Sequence, residues 1–142
     1  MKSSESKYAG CLYFTANALA RKIEKLAIES WAPVKLSPSH AYLLMLILQE
    51  PGLQPGSIAS NLQLTPSTVS RLIEKLEERK LLIRINEGKL TNVFPTQKAK
   101  GMRPLLKQCV VNFSKMYQSA IGKDAACTLV KQLHSISAKL DS

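Results

Sequence analysis

The segment from Thr65 to Lys80 reads TPSTVSRLIEKLEERK and carries the clearest helix signal in the chain. Thr65 can accept a hydrogen bond from the free amides of a first helical turn, and Pro66 suits the first helical position because its missing N–H would be unsatisfied there. Four apolar residues then recur at helical spacing: Val69, Leu72, Ile73 and Leu76. This spacing predicts an amphipathic helix with one buried face.

The opposite face of this helix carries short hydroxyls followed by cations. Its polar positions are Ser67, Thr68, Ser70, Arg71 and Lys75. Small hydrogen-bonding side chains let a helix end approach base edges, and an arginine fork can bond a guanine or a phosphate. An ordinary solvated helix also shows polar residues on one side, so this helix alone does not separate a DNA-binding surface from a plain one.

The neighbouring segments extend the pattern. Residues 39–49, which include AYLLMLIL, predict a central helix that is apolar nearly all round, and residues 55–62 predict a short helix after a Pro-Gly turn. The runs LLIRI and TNVF predict a β-hairpin, with Arg84 and Lys89 beside its tip. Two helices joined by a short turn and followed by a basic hairpin are typical of a winged helix-turn-helix.

Both ends of the chain predict further amphipathic helices. The first covers roughly residues 7–30, and another begins at Thr96, contains Pro104 and runs for about six turns. Gly122 is expected to end that helix, and Asp124 to cap the last one. These helices have more apolar surface than a small winged core can cover, so we expect them to pair with a second copy of the chain.

The composition limits the class of protein. A chain of 142 residues with 45% hydrophobic and 21% charged residues is expected to fold as one domain. Its formal charge of +10 favours a polyanionic partner such as nucleic acid or an anionic membrane surface, and charge alone does not choose between them. The N-terminus lacks the order of a signal peptide, and no apolar run is long enough to span a bilayer, so we expect a cytoplasmic protein without a membrane partner.

Three segments carry a resemblance to a known family: SPSHAYLLMLIL, IASNLQLTPSTVSRLIEKLEERKLLIR and TQKAKG. Over essentially its whole length the chain resembles the MarR family of bacterial transcription regulators. The resemblance implies a mainly α fold with a small β-hairpin wing, as a single domain over 1–142. In it, a winged helix-turn-helix at 37–96 is flanked by dimerisation helices at 7–36 and 97–142.

The resemblance also implies a homodimer whose two recognition helices enter successive major grooves of a pseudo-palindromic double-stranded DNA site. Its DNA-binding residues would be Ser67, Thr68, Ser70, Arg71, Lys75, Arg84 and Lys89. The wing sequence INEGKLTN departs from the family because it lacks the usual Asp-x-Arg pair. Lys89 replaces that arginine only by position, and since a lysine has no planar fork we expect a weaker wing contribution.

Two kinds of regulatory site are implied. A small aromatic effector would lie in a cleft lined by Tyr13, Trp31, His40 and Tyr42, although a purely structural histidine is the alternative for His40. The surroundings of Cys11 in the first helix are similar to those of the reactive cysteine in the family's organic hydroperoxide branch. That branch has tyrosines where this chain has Thr15 and Lys25. Cys109 and Cys127 lie on apolar helix faces and are expected in the core.

Catalysis has no candidate in the sequence. We find no carboxylate pair, Ser-His-Asp set, phosphate loop or metal-ligand spacing, so we expect neither an enzyme, a cofactor nor a metal site. The sequence therefore predicts a homodimeric DNA-binding transcriptional regulator, by resemblance a repressor released by a small-molecule effector. The alternatives are a winged-helix protein-interaction module without specific DNA binding, and a thiol-based redox-sensing regulator that uses Cys11.

Overall fold

The computed structural model describes residues 2–141. Within these residues, seven α-helices and one hairpin follow in order: α1 Leu12–Trp31, α2 Pro38–Gln49, α3 Pro55–Leu62, α4 Pro66–Glu78, β1 Leu82–Glu87, β2 Leu90–Pro95, α5 Gln97–Gly101, α6 Arg103–Ile121 and α7 Lys123–Lys139. Short 3-10 turns lie at Ser3–Glu5 and Ala32–Val34. The prediction of a mainly α fold with a β-hairpin wing is confirmed. No helix among the described residues is both long and apolar enough to cross a membrane.

The chain forms two compact units. One is Ser30–Val110 and contains the helix-turn-helix and the wing. The described residues of the other unit belong to Met1–Glu29 and Val111–Ser142, and they include most of α1, most of α6 and all of α7.

Helix α2 is the centre of the core of Ser30–Val110. Its buried residues are Ala41, Leu43, Leu44, Ile47 and Leu48. Helices α3 and α4, strand β2 and helix α5 all contact α2, which explains why its sequence is apolar nearly all round. Ser37 caps this helix by accepting a hydrogen bond from the amide of His40.

The turn of the helix-turn-helix is set by Gln63. Its φ of 54° places it in the left-handed region, where it ends α3, and the amide of Leu64 donates back to the carbonyl of Ala59 at 3.1 Å. Two residues later α4 begins at Pro66. The predicted bounds of both helices at this turn are therefore confirmed.

The wing is a two-stranded antiparallel hairpin. Glu87 pairs with Leu90 and closes a two-residue loop, in which Gly88 has a φ of +64°. Such a loop requires positive φ, and this favours glycine. The base of the wing is anchored because Val93 donates to the carbonyl of Leu53 and accepts from the amide of Gly52.

The segment after the wing differs from its prediction. One helix was expected from Thr96 onward, but α5 ends at Gly101 and α6 begins at Arg103, with Met102 between them. Thr96 caps α5 by accepting from the amide of Ala99 at 3.2 Å. Pro104 has no amide to continue the hydrogen-bond ladder, so it is accommodated in the first turn of a new helix.

Two other helix starts were also predicted wrongly. Helix α1 begins at Leu12, because residues 7–10 form turns and the amide of Cys11 donates to the carbonyl of Tyr8. Helix α7 is preceded by Gly122, with a φ of +96°, while Asp124 lies in the first turn and does not cap it. An acidic residue in the first turn still stabilises the helix through the helix dipole.

Candidate nucleic-acid interface

The start of α4 follows directly from its sequence. Thr65 Oγ1 accepts a hydrogen bond from the Thr68 amide at 3.3 Å, and Pro66 takes the first helical position. The four predicted apolar residues, Val69, Leu72, Ile73 and Leu76, are all buried. Because this face is buried, the opposite face of α4 points to solvent, as predicted.

The outward face of α4 presents two exposed serines, Ser67 and Ser70, and two exposed cations, Arg71 and Lys75. No ion pair joins Arg71 to another residue within 2–141. Lys75 lies 3.7 Å from Glu78, but both side chains are mostly exposed, and such surface pairs hold their partners weakly. Both cations are therefore available to a phosphate or a base edge.

Thr68 has a different environment from the other four residues. It is half-buried, and its Oγ1 accepts a hydrogen bond from the Thr65 hydroxyl at 2.9 Å. Ser67 Oγ lies 3.3 Å from the same hydroxyl. Thr65, which we did not predict as part of the surface, thus organises a cluster of three hydroxyls at the N-terminal end of α4. The sequence could have indicated this role, because Thr65 occupies the N-cap position of α4.

The two predicted wing cations are placed differently. Lys89 is exposed in the loop at the tip of the hairpin, whereas the Arg84 guanidinium lies 2.7 Å from the Glu77 carboxylate on α4. The wing thus brings Arg84 to Glu77, so this carboxylate pairs with a residue of another element. Glu78 instead lies 3.7 Å from Lys75 on its own helix.

Of the four predicted effector residues, Trp31 and Tyr42 are brought together. Their ring centroids are 5.2 Å apart; Trp31 is buried and Tyr42 is exposed. Tyr42 also lines a cavity of about 310 Å³ with Pro38, Ser39, Asn61, Leu62 and Leu64. Tyr13 belongs to the other compact unit, where its ring packs edge-on against Phe14.

His40 is half-buried at the start of α2 and has a structural partner. Its Nδ1 lies 2.5 Å from the Ser37 hydroxyl. Burial lowers the pKa of His40, and the positive charges of Arg79 and Lys75 lower it further. The neutral imidazole is therefore favoured, and its Nδ1 can accept from Ser37.

The three cysteines lie in different environments. Cys11 is half-buried and immediately precedes α1, so its predicted position within the helix was wrong by one residue. Cys109 is buried as predicted, and burial raises the pKa of its thiol. Cys127 is exposed, contrary to prediction, because only Ala126 of α7 is buried. Within the described residues, no group of three His, Cys, Asp or Glu is suited to hold a metal ion.

Comparison with known proteins agrees with this geometry. The sequence model of the MarR family matches residues 35–89. Over 126 residues the chain is 21% identical to the uncharacterized HTH-type transcriptional regulator YybA of Bacillus subtilis (strain 168). The alignment covers 87% of this chain and 84% of that protein.

Solved structures show the same fold. The transcriptional repressor CouR bound to a 23-mer DNA duplex superposes with a TM-score of 0.83 at 21% identity, covering 94% of this chain and 99% of that one. CouR from Rhodococcus jostii RHA1 bound to p-coumaroyl-CoA has a TM-score of 0.78 at 19% identity, covering 100% and 99% of the two chains.

Proposed function

We propose that the chain, whose residues 35–89 match the sequence model of the MarR family, binds specific double-stranded DNA as a cytoplasmic homodimer. The observation that carries the proposal is α4, whose apolar face is buried while Ser67, Ser70 and Arg71 face outward. The relatives are transcription regulators rather than enzymes.

In the proposed complex the N-terminal half of α4 lies in the major groove. Ser67 and Ser70 are short enough to bring the helix close to base edges, and Arg71 can form two parallel hydrogen bonds with a guanine or a phosphate. Lys75, one turn further along, would contact the phosphate backbone. The net charge of +10 would attract the duplex before any specific contact forms.

Two copies of α4 are needed for a pseudo-palindromic site. Half-sites that face the same side of B-DNA lie one helical turn apart, about 34 Å. A homodimer presents two identical helices related by a two-fold axis, which matches the symmetry of such a site.

The test is an alanine substitution of Arg71 measured on a site selected from random duplexes. Arg71→Ala should weaken binding by about 1–3 kcal/mol, whereas Lys100→Ala should change it much less, because it removes an exposed charge from α5, outside the proposed surface. Binding should also weaken steeply as salt is raised. Failure to select any duplex at low salt would leave a protein-interaction module as the better description. The ion pair between Arg84 and Glu77, which compensates the charge of Arg84, favours that alternative.

We further propose that the regulator is a repressor released by a small aromatic effector near Trp31 and Tyr42. Tyr42 lines a cavity in the DNA-binding unit, and its ring packs against that of the buried Trp31. CouR is a repressor whose structure holds p-coumaroyl-CoA. To cause release, the effector must bind the DNA-incompetent state more tightly than the DNA-bound state.

Trp31 is the single tryptophan of the chain, so its fluorescence reports directly on this region. An aromatic carboxylate that acts as effector should change Trp31 emission and weaken DNA binding over the same concentration range. Tyr42→Ala should shift both curves to higher ligand concentration. A fluorescence change without any loss of DNA binding would argue against release.

A further inference from the structure

The ion pair between Glu77 on α4 and Arg84 on β1 links the recognition helix to the wing. The two charged groups are 2.7 Å apart, and their side chains are 29% and 37% exposed. We propose that this pair, here called the wing latch, fixes the orientation of the wing on α4, and that Arg84 is a positioning residue rather than a DNA contact. The inference deepens the proposed DNA-binding function and rests on it for one of its two tests.

Arg84 of the wing latch lies between the base of the wing, which packs against the rest of the unit, and the exposed tip. At the base, Leu82 is buried and Val93 is bonded to the loop between α2 and α3. Arg84 stands opposite Val93 in the strand register. Every residue from 85 to 90 is exposed. A link from Arg84 to α4 therefore limits how far the tip can swing relative to the recognition helix.

The charges of the latch also bear on DNA binding. An unpaired Glu77 close to a DNA-facing helix would repel phosphates, and pairing with Arg84 compensates its charge. The same pairing compensates Arg84, which is left with little free charge to replace counterions on a phosphate. Lys89 at the tip has no ion-pair partner among residues 2–141. We therefore assign the phosphate contact of the wing to Lys89.

The first test uses the free protein and needs no DNA. Partly exposed ion pairs are worth up to about 1 kcal/mol, so Glu77→Gln and Arg84→Gln should each speed amide hydrogen exchange in the β1–β2 ladder roughly 2- to 5-fold. Glu74→Gln, which removes an exposed carboxylate one turn earlier on α4, is the matched control and should leave exchange unchanged. The exchanged pair Glu77→Arg with Arg84→Glu should restore protection. Unchanged exchange in both single variants would overturn the latch.

The second test is the salt dependence of DNA binding. Losing one phosphate contact lowers the slope of log affinity against log salt by about 0.9. We expect Lys89→Gln to lower the slope by that amount. The double variant Glu77→Gln with Arg84→Gln removes both charges of the latch, and it should weaken binding without changing the slope. A lower slope in this double variant would overturn the positioning role. If the wild-type protein binds no duplex, the proposed function fails, and hydrogen exchange alone decides whether the latch exists.

Discussion

At the scale of single residues, His40 couples protonation to folding. Burial and the nearby charges of Arg79 and Lys75 lower its pKa, and its neutral Nδ1 lies beside the Ser37 hydroxyl that caps α2. The unfolded chain therefore binds this proton more readily than the folded chain does. Stability contributed by the neutral imidazole should be present above the ordinary pKa of 6.5 and be lost as the pH falls towards the lowered folded value.

The direction in which stability changes with pH can be measured by urea unfolding between about pH 7.5 and pH 5.5. The wild-type midpoint should fall as the pH is lowered, and His40→Gln should flatten that fall because it removes the titrating group. His134→Gln is the control, since His134 is exposed on α7, and it should keep the wild-type pH dependence. A fall of equal size in His40→Gln would assign the effect to another group.

Cys11 is the residue that tests whether an oxidant, instead of a ligand, triggers the proposed release from DNA. The chain has Thr15 and Lys25 where the hydroperoxide-sensing branch that it resembles has tyrosines, and activated thiolates need specific stabilising partners. We therefore expect peroxide to leave DNA binding unchanged in both wild type and Cys11→Ser. Loss of binding in the wild type alone would establish Cys11 as a redox sensor and displace the effector proposal.

At the scale of elements, the cap of α4 contributes to both stability and binding. Thr65→Ala removes the acceptor for the Thr68 amide and should cost about 1 kcal/mol of unfolding free energy, within a range of roughly 0.5–2. It should also weaken DNA binding, because the cap orders the hydroxyl cluster at the start of the helix. Thr65→Ser keeps the hydroxyl and should lie close to wild type. Equal stability of the alanine and serine variants in urea unfolding would contradict the capping role.

Elements with local sequence signals were predictable. The start of α4 follows from the Thr65 cap and from Pro66, and the position of the hairpin follows from the turn at Gly88. Each of these signals acts within a few residues. The Glu77–Arg84 pair could not be predicted, because it joins residues of two elements and depends on the angle between them. The exposure of Cys127 was missed for a related reason, since apolar spacing does not reveal what covers a helix face.

At the scale of the whole molecule, the unit outside the winged core leaves large apolar side chains uncovered in the single chain. On α7 the exposed residues are Val130, Leu133 and Ile136, and Leu12 at the start of α1 is 80% exposed. Contiguous apolar patches of this kind usually mark protein interfaces. They support the prediction that the terminal helices pair with those of a second copy.

A charge placed in the α7 stripe tests this pairing. Leu133→Lys puts an ammonium group into the expected apolar interface and should convert a dimer into a monomer in sedimentation at micromolar concentration. Ser135→Lys is the matched control, because two residues further along a helix the same charge points away from the stripe. Since the two half-sites would then be bound independently, affinity for the full site should fall by roughly 10²–10⁴-fold in Leu133→Lys. A monomeric Leu133→Lys variant that binds the full site as tightly as the Ser135→Lys variant would contradict the paired-helix mechanism, because one α4 would then suffice for recognition.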